Sequence, residues 1–277
     1  MSFDRLLFGT AGVPNSTSKK NNPIEGVRQI HNLGLDCMQL EFAHGVRMKE
    51  EISSGLSKIS YELGVPLTSH GPYYINLNAR EQDKIDSSVE RIIQTAKISD
   101  LCGAESMTFH AAFYMKDSPY DVFDLVEKSL NVIEERLSRL DIEIELRPEL
   151  TGKTSQFGSL EELMSLTKSV NSCCPCMDFS HLFARTGKFN TEDEFQEVLD
   201  RLTDELGAKA LQNMHIHLSG ISSNSKGDLK HLNLEESKFN WKGLLNTLKK
   251  NDCRGYIICN SPNLEVDAKL MKDYYLA

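Results

Sequence analysis

The sequence predicts a single (β/α)8 barrel spanning residues 1–277, in which a closed parallel sheet is surrounded by helices. Eight short apolar segments alternate with eight segments of helical spacing. The length of 277 residues suits eight such units in one domain. No glycine-rich phosphate turn follows the first predicted strand, as would be expected in a doubly wound open sheet. That open sheet is the alternative architecture.

Each predicted strand is short and is followed by a helical pattern. The predicted strands are LLFGT (6–10), DCMQLEF (36–42), PLTSH (66–70), SMTFH (106–110), IEIELRPE (142–149), CPCMDFS (174–180), QNMHIHLS (212–219) and GYIICNS (255–261). In the helical stretch 120–140, Val122, Val126, Leu130 and Ile133 recur at spacings of three and four. Glycines that should end helices are Gly34, Gly64, Gly103 and Gly207. Residues 220–238 are expected to form the longest loop.

The composition restricts the kind of protein. Apolar residues make up 40% of the chain and charged residues 26%, which is typical of a globular protein. We find no apolar run long enough to span a membrane and expect a cytoplasmic protein. The seven cysteines are expected to be reduced, and the opposite faces of Cys173 and Cys176 argue against a redox or zinc-thiolate pair. The formal charge of −9 argues against bulk coating of nucleic acid.

Polar side chains alternate with apolar ones along the predicted strands. In the second strand, Met38 and Leu40 share one face, whereas Gln39 and Glu41 share the other. In a barrel, the apolar face packs on the helices and the polar face points toward the axis. Other inward polar groups are Thr68, His70, Thr108, His110, Glu143, Glu145, Arg147, Glu149, Asp178, Ser180, His215 and His217. We expect Glu143 and Glu145 to pair with Arg147 or its neighbours.

Histidines are concentrated at the carboxyl ends of the strands, where barrel proteins build their sites. Six of the eight lie there or just beyond, namely His70, His110, His181, His215, His217 and His231. A single histidine at a strand end is more often a hydrogen-bonded structural residue. Six that converge with Glu149 and Asp178 favour metal ions as their shared partner, because buried imidazoles and carboxylates need strong partners. This ligand mixture suits Zn²⁺, Mn²⁺ or Fe²⁺.

Several motifs resemble those of the endonuclease IV type of abasic-site endonuclease, in an archaeal-looking branch, over nearly the whole chain. These motifs are HGPYYINLN (70–78), FHAA (109–112), RPELTGKTSQFGSLEEL (147–163), CMDFSH (176–181), HLSG (217–220), GDLKHLNL (227–234) and ICNSPNLE (258–265). The resemblance implies a (β/α)8 barrel that binds two to three metal ions, usually zinc. It also implies hydrolysis of the phosphodiester 5′ to an abasic site in duplex DNA, as in base-excision repair.

The resemblance also implies roles for individual residues. One ion would be held by His70, His110 and Glu149, a second by Glu149, Asp178, His217 and the Asn260 position, and a third by His181, Asp228 and His231. Glu149 is the bridging, catalytic ligand. Tyr73 would line the pocket for the extruded abasic nucleotide, and Arg47 is expected to enter the DNA stack. Glu41 and His215 are further predicted binding groups, and His215 should lie deeper than His217.

Three positions depart from the family pattern. Asn260 stands where the family has a glutamate ligand, so a neutral amide replaces a carboxylate and the second ion should bind less tightly. Ala111 and Ala112 replace the usual Pro-Gly after His110. Asp228 precedes His231 by three residues rather than by two.

Three functions are therefore compared. The first is metal-dependent cleavage at abasic sites by a monomer, with duplex contacts from Arg47, Lys49, Lys116, Lys153, Arg185 and Lys188. The second is a xylose-isomerase-like sugar isomerase or epimerase, which needs one metal held by Glu149, Asp178 and His217. The third is a non-catalytic barrel that has lost a ligand at Asn260. The metal count and the fate of abasic DNA distinguish them.

Overall fold

The molecule is a parallel eight-stranded sheet rolled into a barrel, and the computed structural model describes residues 3–19 and 21–277. The strands are β1 (Leu6–Ala11), β2 (Cys37–Glu41), β3 (Leu67–His70), β4 (Ala104–Phe109), β5 (Glu145–Pro148), β6 (Cys176–Asp178), β7 (Met214–Leu218), β8 (Gly220–Asn224), β9 (Gly227–Leu232) and β10 (Gly255–Cys259). The barrel order is β5-β4-β3-β2-β1-β10-β7-β6. The predicted (β/α)8 architecture is confirmed.

Helices cover the outside of the barrel between successive strands. They are α1 (Pro23–Asn32), α2 (Glu50–Leu63), α3 (Gln82–Leu101), α4 (Pro119–Arg139), α5 (Leu160–Ser169), α6 (Phe179–Thr186), α7 (Glu192–Leu206), α8 (Trp241–Lys250) and α9 (Glu265–Leu276). Ser159 and Thr191 start α5 and α7 with capping boxes. Gly64 ends α2 in the left-handed conformation that glycine adopts without strain. Among the described residues, no helix is both long and apolar enough to cross a membrane.

The barrel closes between β5 and β6 through a short seam. Parallel bridges join Leu146 to Cys173 and Glu149 to Cys176. The Leu150 amide donates to the Cys176 carbonyl at 2.9 Å. Arg147 is buried beside this seam, and its guanidinium donates to the carbonyls of Pro175 (3.2 Å) and Asn213 (3.1 Å). Arg147 therefore ties β5 to the segments that lead into β6 and β7.

The two faces of the strands are divided as the alternation predicts. Met38 and Leu40 of β2 pack in one apolar cluster with Val27 and Ile30 of α1. The buried polar side chains inside the barrel include Thr10, Gln39, Thr68, Ser106, Thr108, Arg147, Asp178, His215 and His217. Glu145 pairs with Arg147, as expected. The interior of this barrel is therefore polar, and each buried polar side chain in it needs a hydrogen-bond partner or an ion.

The predicted strand 174–180 is shorter in the structure because Asp178 changes the backbone direction. Its Oδ1 accepts the His181 amide at 2.7 Å and caps α6, so helix begins at Phe179. The carboxylate consequently stands at the junction of β6 and α6.

The prediction of an irregular loop over 220–238 was wrong. Strands β8 and β9 form an antiparallel hairpin in which Ile221 pairs with His231. Solvated serine, asparagine and lysine side chains on both strands conceal the alternation that would have revealed it. Gly227 makes the turn at φ 106°, and a Cβ there would clash with the Gly152 carbonyl oxygen. The hairpin thus packs tightly on the loop after β5 and carries Asp228 and His231 to the barrel mouth.

We expect Arg147→Leu to lower the free energy of unfolding by about 2–4 kcal/mol, because buried carbonyls and a carboxylate lose their donor. Urea denaturation measures the change. Arg139→Leu is the matched control, because Arg139 is an exposed α4 side chain paired with Glu135; it should cost less than about 0.5 kcal/mol. Equal effects of the two substitutions would contradict the role of Arg147 at the seam.

Candidate metal centre

A cavity of about 440 Å³ opens at the carboxyl ends of the strands. The predicted site residues that line it are Glu41, His70, Tyr73, His110, Glu149, His181, Asp228, His231 and Asn260. Asp178 and His217 are fully buried close to Glu149. His215 is also fully buried and its ring lies 5.8 Å from that of Tyr256 in the barrel interior, which agrees with its expected depth. Arg47 does not line this cavity.

The Glu149 carboxylate is the centre of the site. Its Oε2 lies 3.1 Å from His70 Nε2 and 3.3 Å from His110 Nε2. Its Oε1 lies 3.3 Å from His181 Nδ1 and 3.3 Å from His217 Nδ1. Burial alone would raise the pKa of Glu149, but the surrounding imidazoles, His217 and His110 foremost, hold it well below its usual range. Glu149 is therefore an anion with ligand groups on both oxygens.

Two groups of ligand atoms share this carboxylate. His70, His110 and Glu149 form one group, and Glu149, Asp178 and His217 form the other, with all ligand atoms of each group within 4.8 Å. His70 donates from Nδ1 to the Gly71 carbonyl at 2.7 Å, which leaves Nε2 facing Glu149. The structure thus brings together the side chains that the resemblance assigns to the first ion and three of the four positions that it assigns to the second; that they hold ions stays a prediction.

Unsatisfied atoms show that the second group fits a cation. Asp178 Oδ2, His217 Nδ1 and Asn260 Oδ1 are buried and have no hydrogen-bond partner. A buried polar atom without a partner costs about 1–3 kcal/mol. A divalent cation bound to Asp178 and His217 would satisfy two of these atoms, so the residues present suit a metal ion of the Zn²⁺ or Mn²⁺ type.

The third predicted group is less compact. His181 Nε2 and His231 Nε2 face each other at 3.3 Å, and His231 Nδ1 donates to the Asn260 carbonyl at 3.1 Å. The Asp228 carboxylate lines the cavity and contributes to the raised pKa of His181. Within the residues described, however, these three side chains do not come within 4.8 Å as one set. A third ion held by all three would therefore require Asp228 to approach the two histidines.

The loop after β5 positions Asp228. The Asp228 amide donates to the Gly152 carbonyl at 3.3 Å, and a Cβ on Gly152 would lie 2.6 Å from Asp228 Oδ1. Arg185 of α6 anchors this loop by donating to the carbonyls of Lys153 (2.6 Å) and Gln156 (3.0 Å). The Arg185 guanidinium is thus engaged by this loop, and its contact with duplex DNA stays a prediction.

Tyr73 and Glu41 occupy the mouth of the cavity. The Tyr73 ring centre lies 5.3 Å from that of His70 and 6.0 Å from that of His110, and about half of its surface stays exposed. Glu41 keeps solvent contact at the end of β2. Desolvation by the cavity walls raises the pKa of Glu41, although His70 and His217 oppose the shift. An aromatic ring and a carboxylate outside both ligand groups are thus available to a substrate.

Sequence reasoning assigned no partner to Gln39 and gave Cys176 no place in the site. Gln39 is fully buried, and its amide contacts both His215 and His217. Its inward position on β2 was the available signal. Cys176 groups with the same two histidines within 4.8 Å. Burial holds the pKa of its thiol well above the usual range, so a thiolate ligand is disfavoured.

A family model and several curated proteins match this chain. The family described as "Xylose isomerase-like TIM barrel" matches residues 27–274. A Methanocaldococcus jannaschii protein, "Uncharacterized protein MJ0133", is 41% identical over 98% of this chain and 97% of its own length. A "Probable endonuclease 4" of Aster yellows witches'-broom phytoplasma is 25% identical over 65% of this chain, which spans only 61% of that relative.

Solved structures share the fold. Endonuclease IV from Thermus thermophilus superposes with a TM-score of 0.73 at 20% identity, covering 96% of this chain and 98% of that one. A D-tagatose 3-epimerase-like protein superposes with a TM-score of 0.76 at 17% identity, covering 98% and 97%. At such identities the likeness shows the barrel fold alone.

We expect metal binding to release about two protons near pH 7.5. Burial opposes the charged form of both imidazoles, but Glu149 and Glu41 raise the pKa of His70 to about 9, and Asp178 and Glu149 raise that of His181 to about 10. Both rings are then protonated in the metal-free protein and must lose a proton to bind a cation. Affinity should increase as pH rises toward these values. Calorimetric Zn²⁺ titration in buffers of different ionisation enthalpy counts the protons; no release would contradict the assignment.

Proposed function

This chain belongs to the xylose isomerase-like TIM barrel family, and from that premise we propose that it is a metal-dependent endonuclease that hydrolyses the phosphodiester 5′ to abasic sites in duplex DNA. The observation that carries the proposal is the arrangement of imidazoles on both oxygens of Glu149. A one-metal site needs Glu149, Asp178 and His217 but has no use for His70 and His110. The endonuclease 4 relatives support the same choice.

The ligand residues define what each part of the site does. His70, His110 and Glu149 would hold one ion, and Glu149, Asp178 and His217 a second, with His181, Asp228 and His231 available to a third. Bound ions would activate water and neutralise charge on the phosphate and the leaving oxygen. Glu149 keeps the two groups at a fixed separation because it belongs to both. His70 is fixed in orientation by its bond to the Gly71 carbonyl.

The remaining groups at the mouth suit an extruded sugar rather than a base. Tyr73 offers a partly exposed ring beside the ligand histidines, and Glu41 can accept hydrogen bonds from hydroxyl groups. A nucleotide that has lost its base is the easiest one to extrude from a duplex, because no stacking or pairing is given up. The cavity would therefore select the abasic nucleotide by its size and its low cost of extrusion.

Basic side chains on the same side of the barrel supply contacts for the phosphate backbone. Lys49 follows β2, Lys116 follows β4, and Lys153 follows β5. The hairpin adds Lys226 and Lys230. In the described part of the chain, none of these five forms an ion pair within 4 Å. They favour a local interaction with phosphates despite the negative charge of the whole protein.

A sugar isomerase or epimerase is the second candidate, and Glu41 is the observation that favours it. This carboxylate faces the cavity outside both ligand groups and has a raised pKa, as an acid–base group in sugar chemistry requires. The D-tagatose 3-epimerase-like neighbour has the same barrel. Against it stands Asn260, whose amide cannot replace the acid that a one-metal site would take from the last barrel strand.

We expect the protein to nick a duplex oligonucleotide that carries one tetrahydrofuran abasic analogue, on its 5′ side, with Zn²⁺ or Mn²⁺ present. Asp178→Asn should lower the rate about 100-fold, because it keeps the cap on α6 but removes a charged ligand. Asp267→Asn is the matched control: Asp267 is also buried and caps the Leu234 amide, yet lies outside the cavity.

Unchanged cutting by Asp178→Asn would exclude the metal centre as the catalyst. Absence of cutting together with one bound ion per chain and turnover of a ketose would favour the isomerase. Absence of cutting together with tight binding of the abasic duplex would favour the non-catalytic barrel.

We further expect Asn260→Glu to raise the nicking rate and Zn²⁺ affinity by about tenfold, because a charged oxygen would replace an amide oxygen that is buried without a partner. Nicking and chelator competition measure the two effects. Pro262→Glu, at an exposed position just beyond and outside the cavity lining, controls for added negative charge in this segment. A loss of both affinity and activity in Asn260→Glu would show that the amide is the functional group at this position.

A further inference from the structure

Leu264 is held in a strained backbone conformation beside the cavity, in the turn between β10 and α9. Its φ is 40° and its ψ is −99°. The Val266 amide donates to the Asn263 carbonyl at 3.1 Å, which closes a turn with Leu264 as its first central residue. These angles are close to those of a type II′ turn, in which glycine usually occupies that position because φ is positive there. A bulky side chain at such a position is unfavourable.

Leu264 is also an unfavourable residue at the start of a helix. It is the N-cap of α9, and its side chain makes no capping hydrogen bond. Asparagine, aspartate, serine, threonine and glycine stabilise this position, whereas leucine is among the least favourable residues there. Glycine would therefore suit both the turn and the cap better than leucine does. The local backbone gives no reason for a leucine at this position.

Packing against the core does not explain the leucine either. Leu264 is partly buried, yet within the described residues it belongs to none of the three apolar clusters. Leu270 of the same helix, in contrast, packs against the largest of these clusters. The side chain of Leu264 therefore contributes little to the apolar core that stabilises the barrel.

The neighbouring residues hold the strained turn in place. The Glu265 carboxylate is buried and accepts the backbone amides of Asn15 at 2.8 Å and Ser16 at 2.7 Å. The Asn263 side chain donates to the Asp267 carboxylate at 2.9 Å. A strained residue persists only where its surroundings over-determine its conformation, and these contacts do so on both sides of residue 264. The chain thus maintains an unfavourable conformation at a residue that the core does not need.

The cavity gives the Leu264 side chain its only apparent use. Leu264 is the largest aliphatic side chain among the described residues that line the cavity, and the other apolar members of the lining are Ala11, Ala43 and Tyr73. These four residues stand at or beyond the ends of β10, β1, β2 and β3, which are neighbours in the barrel. The other half of the barrel, β4 to β7, leads to the predicted ligands His110, Glu149, Asp178 and His217. The apolar lining is thus confined to one half of the mouth.

We propose that Leu264 is a substrate-binding residue that packs against the carbon atoms of the extruded sugar ring. The inference rests on the proposed function, because it takes the cavity to bind an extruded abasic nucleotide. A deoxyribose without its base presents C–H groups that the polar half of the cavity cannot match. Leu264 is partly exposed in the free protein and loses that exposure when a sugar covers it, which strengthens binding about fivefold. The strained turn holds the side chain in its binding position before the substrate arrives.

The test compares Leu264→Gly and Leu264→Met in the full chain. Leu264→Gly should raise the melting temperature by about 2 °C, because relief of the strain outweighs the added freedom of glycine in the unfolded chain. The same change should raise KM for nicking of a duplex with one tetrahydrofuran abasic analogue about fivefold, with kcat within about twofold, because a binding contact is lost. Leu264→Met keeps an apolar side chain of similar volume, so both its melting temperature and its KM should stay close to the wild-type values.

Asp141→Gly is the control for the change in backbone freedom, because Asp141 is an exposed residue at φ 55° in the turn before β5 and lies outside the cavity lining. It should leave KM within about twofold. Affinity for an unmodified duplex, measured by fluorescence anisotropy, should be the same in all variants, since no sugar enters the cavity.

Two results would overturn the sugar contact and leave the proposed function intact. A lower melting temperature of Leu264→Gly would show that the side chain supports the fold, and an unchanged KM would show that it does not touch the substrate. A wild type that does not cut the abasic duplex would overturn the proposed function and the sugar contact together.

Discussion

The architecture at the barrel mouth depends on one constraint, which is that the buried negative charge of Glu149 must be balanced. A carboxylate with almost no exposure is unfavourable unless it is paired, and the chain surrounds it with imidazoles from the ends of four different elements. The lengths and registers of β3, β4, β5 and β7 must agree for those rings to meet. In the metal-free protein, protons on His70 and His181 supply part of the balancing charge. A cation would supply it more completely and would also satisfy Asp178.

Much of this arrangement follows from simple periodicity. Alternation along a strand assigns Gln39, Thr108, His215 and His217 to the axis, and the structure agrees. The rule that parallel strands end on one rim then brings together residues that are far apart in sequence. The family resemblance is confirmed at the level of the superfamily, whereas the roles of individual ligands remain predictions.

Other features could not be deduced because they depend on contacts between distant segments. The hairpin of β8 and β9 packs on the loop after β5 through the close approach of Gly227 to Gly152. No local sequence pattern predicts that these two glycines meet. Arg185 was predicted as a contact to duplex DNA, and its binding to carbonyls of the loop after β5 could not be foreseen. Asp178 ends β6 early through a bond within its own turn. In each case the local sequence pattern was compatible with more than one structure, and contacts made in the folded protein determined which one forms.

The short seam between β5 and β6 lies next to the candidate metal centre, so an ion bound there would affect how firmly the barrel is closed. Glu149 directly follows β5 and Asp178 ends β6, so these two carboxylates stand on opposite sides of the place where the barrel is paired least. In the metal-free protein the His181 ring joins them, with Nδ1 3.3 Å from Glu149 Oε1 and 3.3 Å from Asp178 Oδ2, and a divalent cation would attract both carboxylates more strongly. The ion would then complete the link between β5 and β6, which the backbone makes only through isolated bridges. Binding of the ion would then add to the free energy of unfolding, because only the closed barrel brings the two carboxylates together.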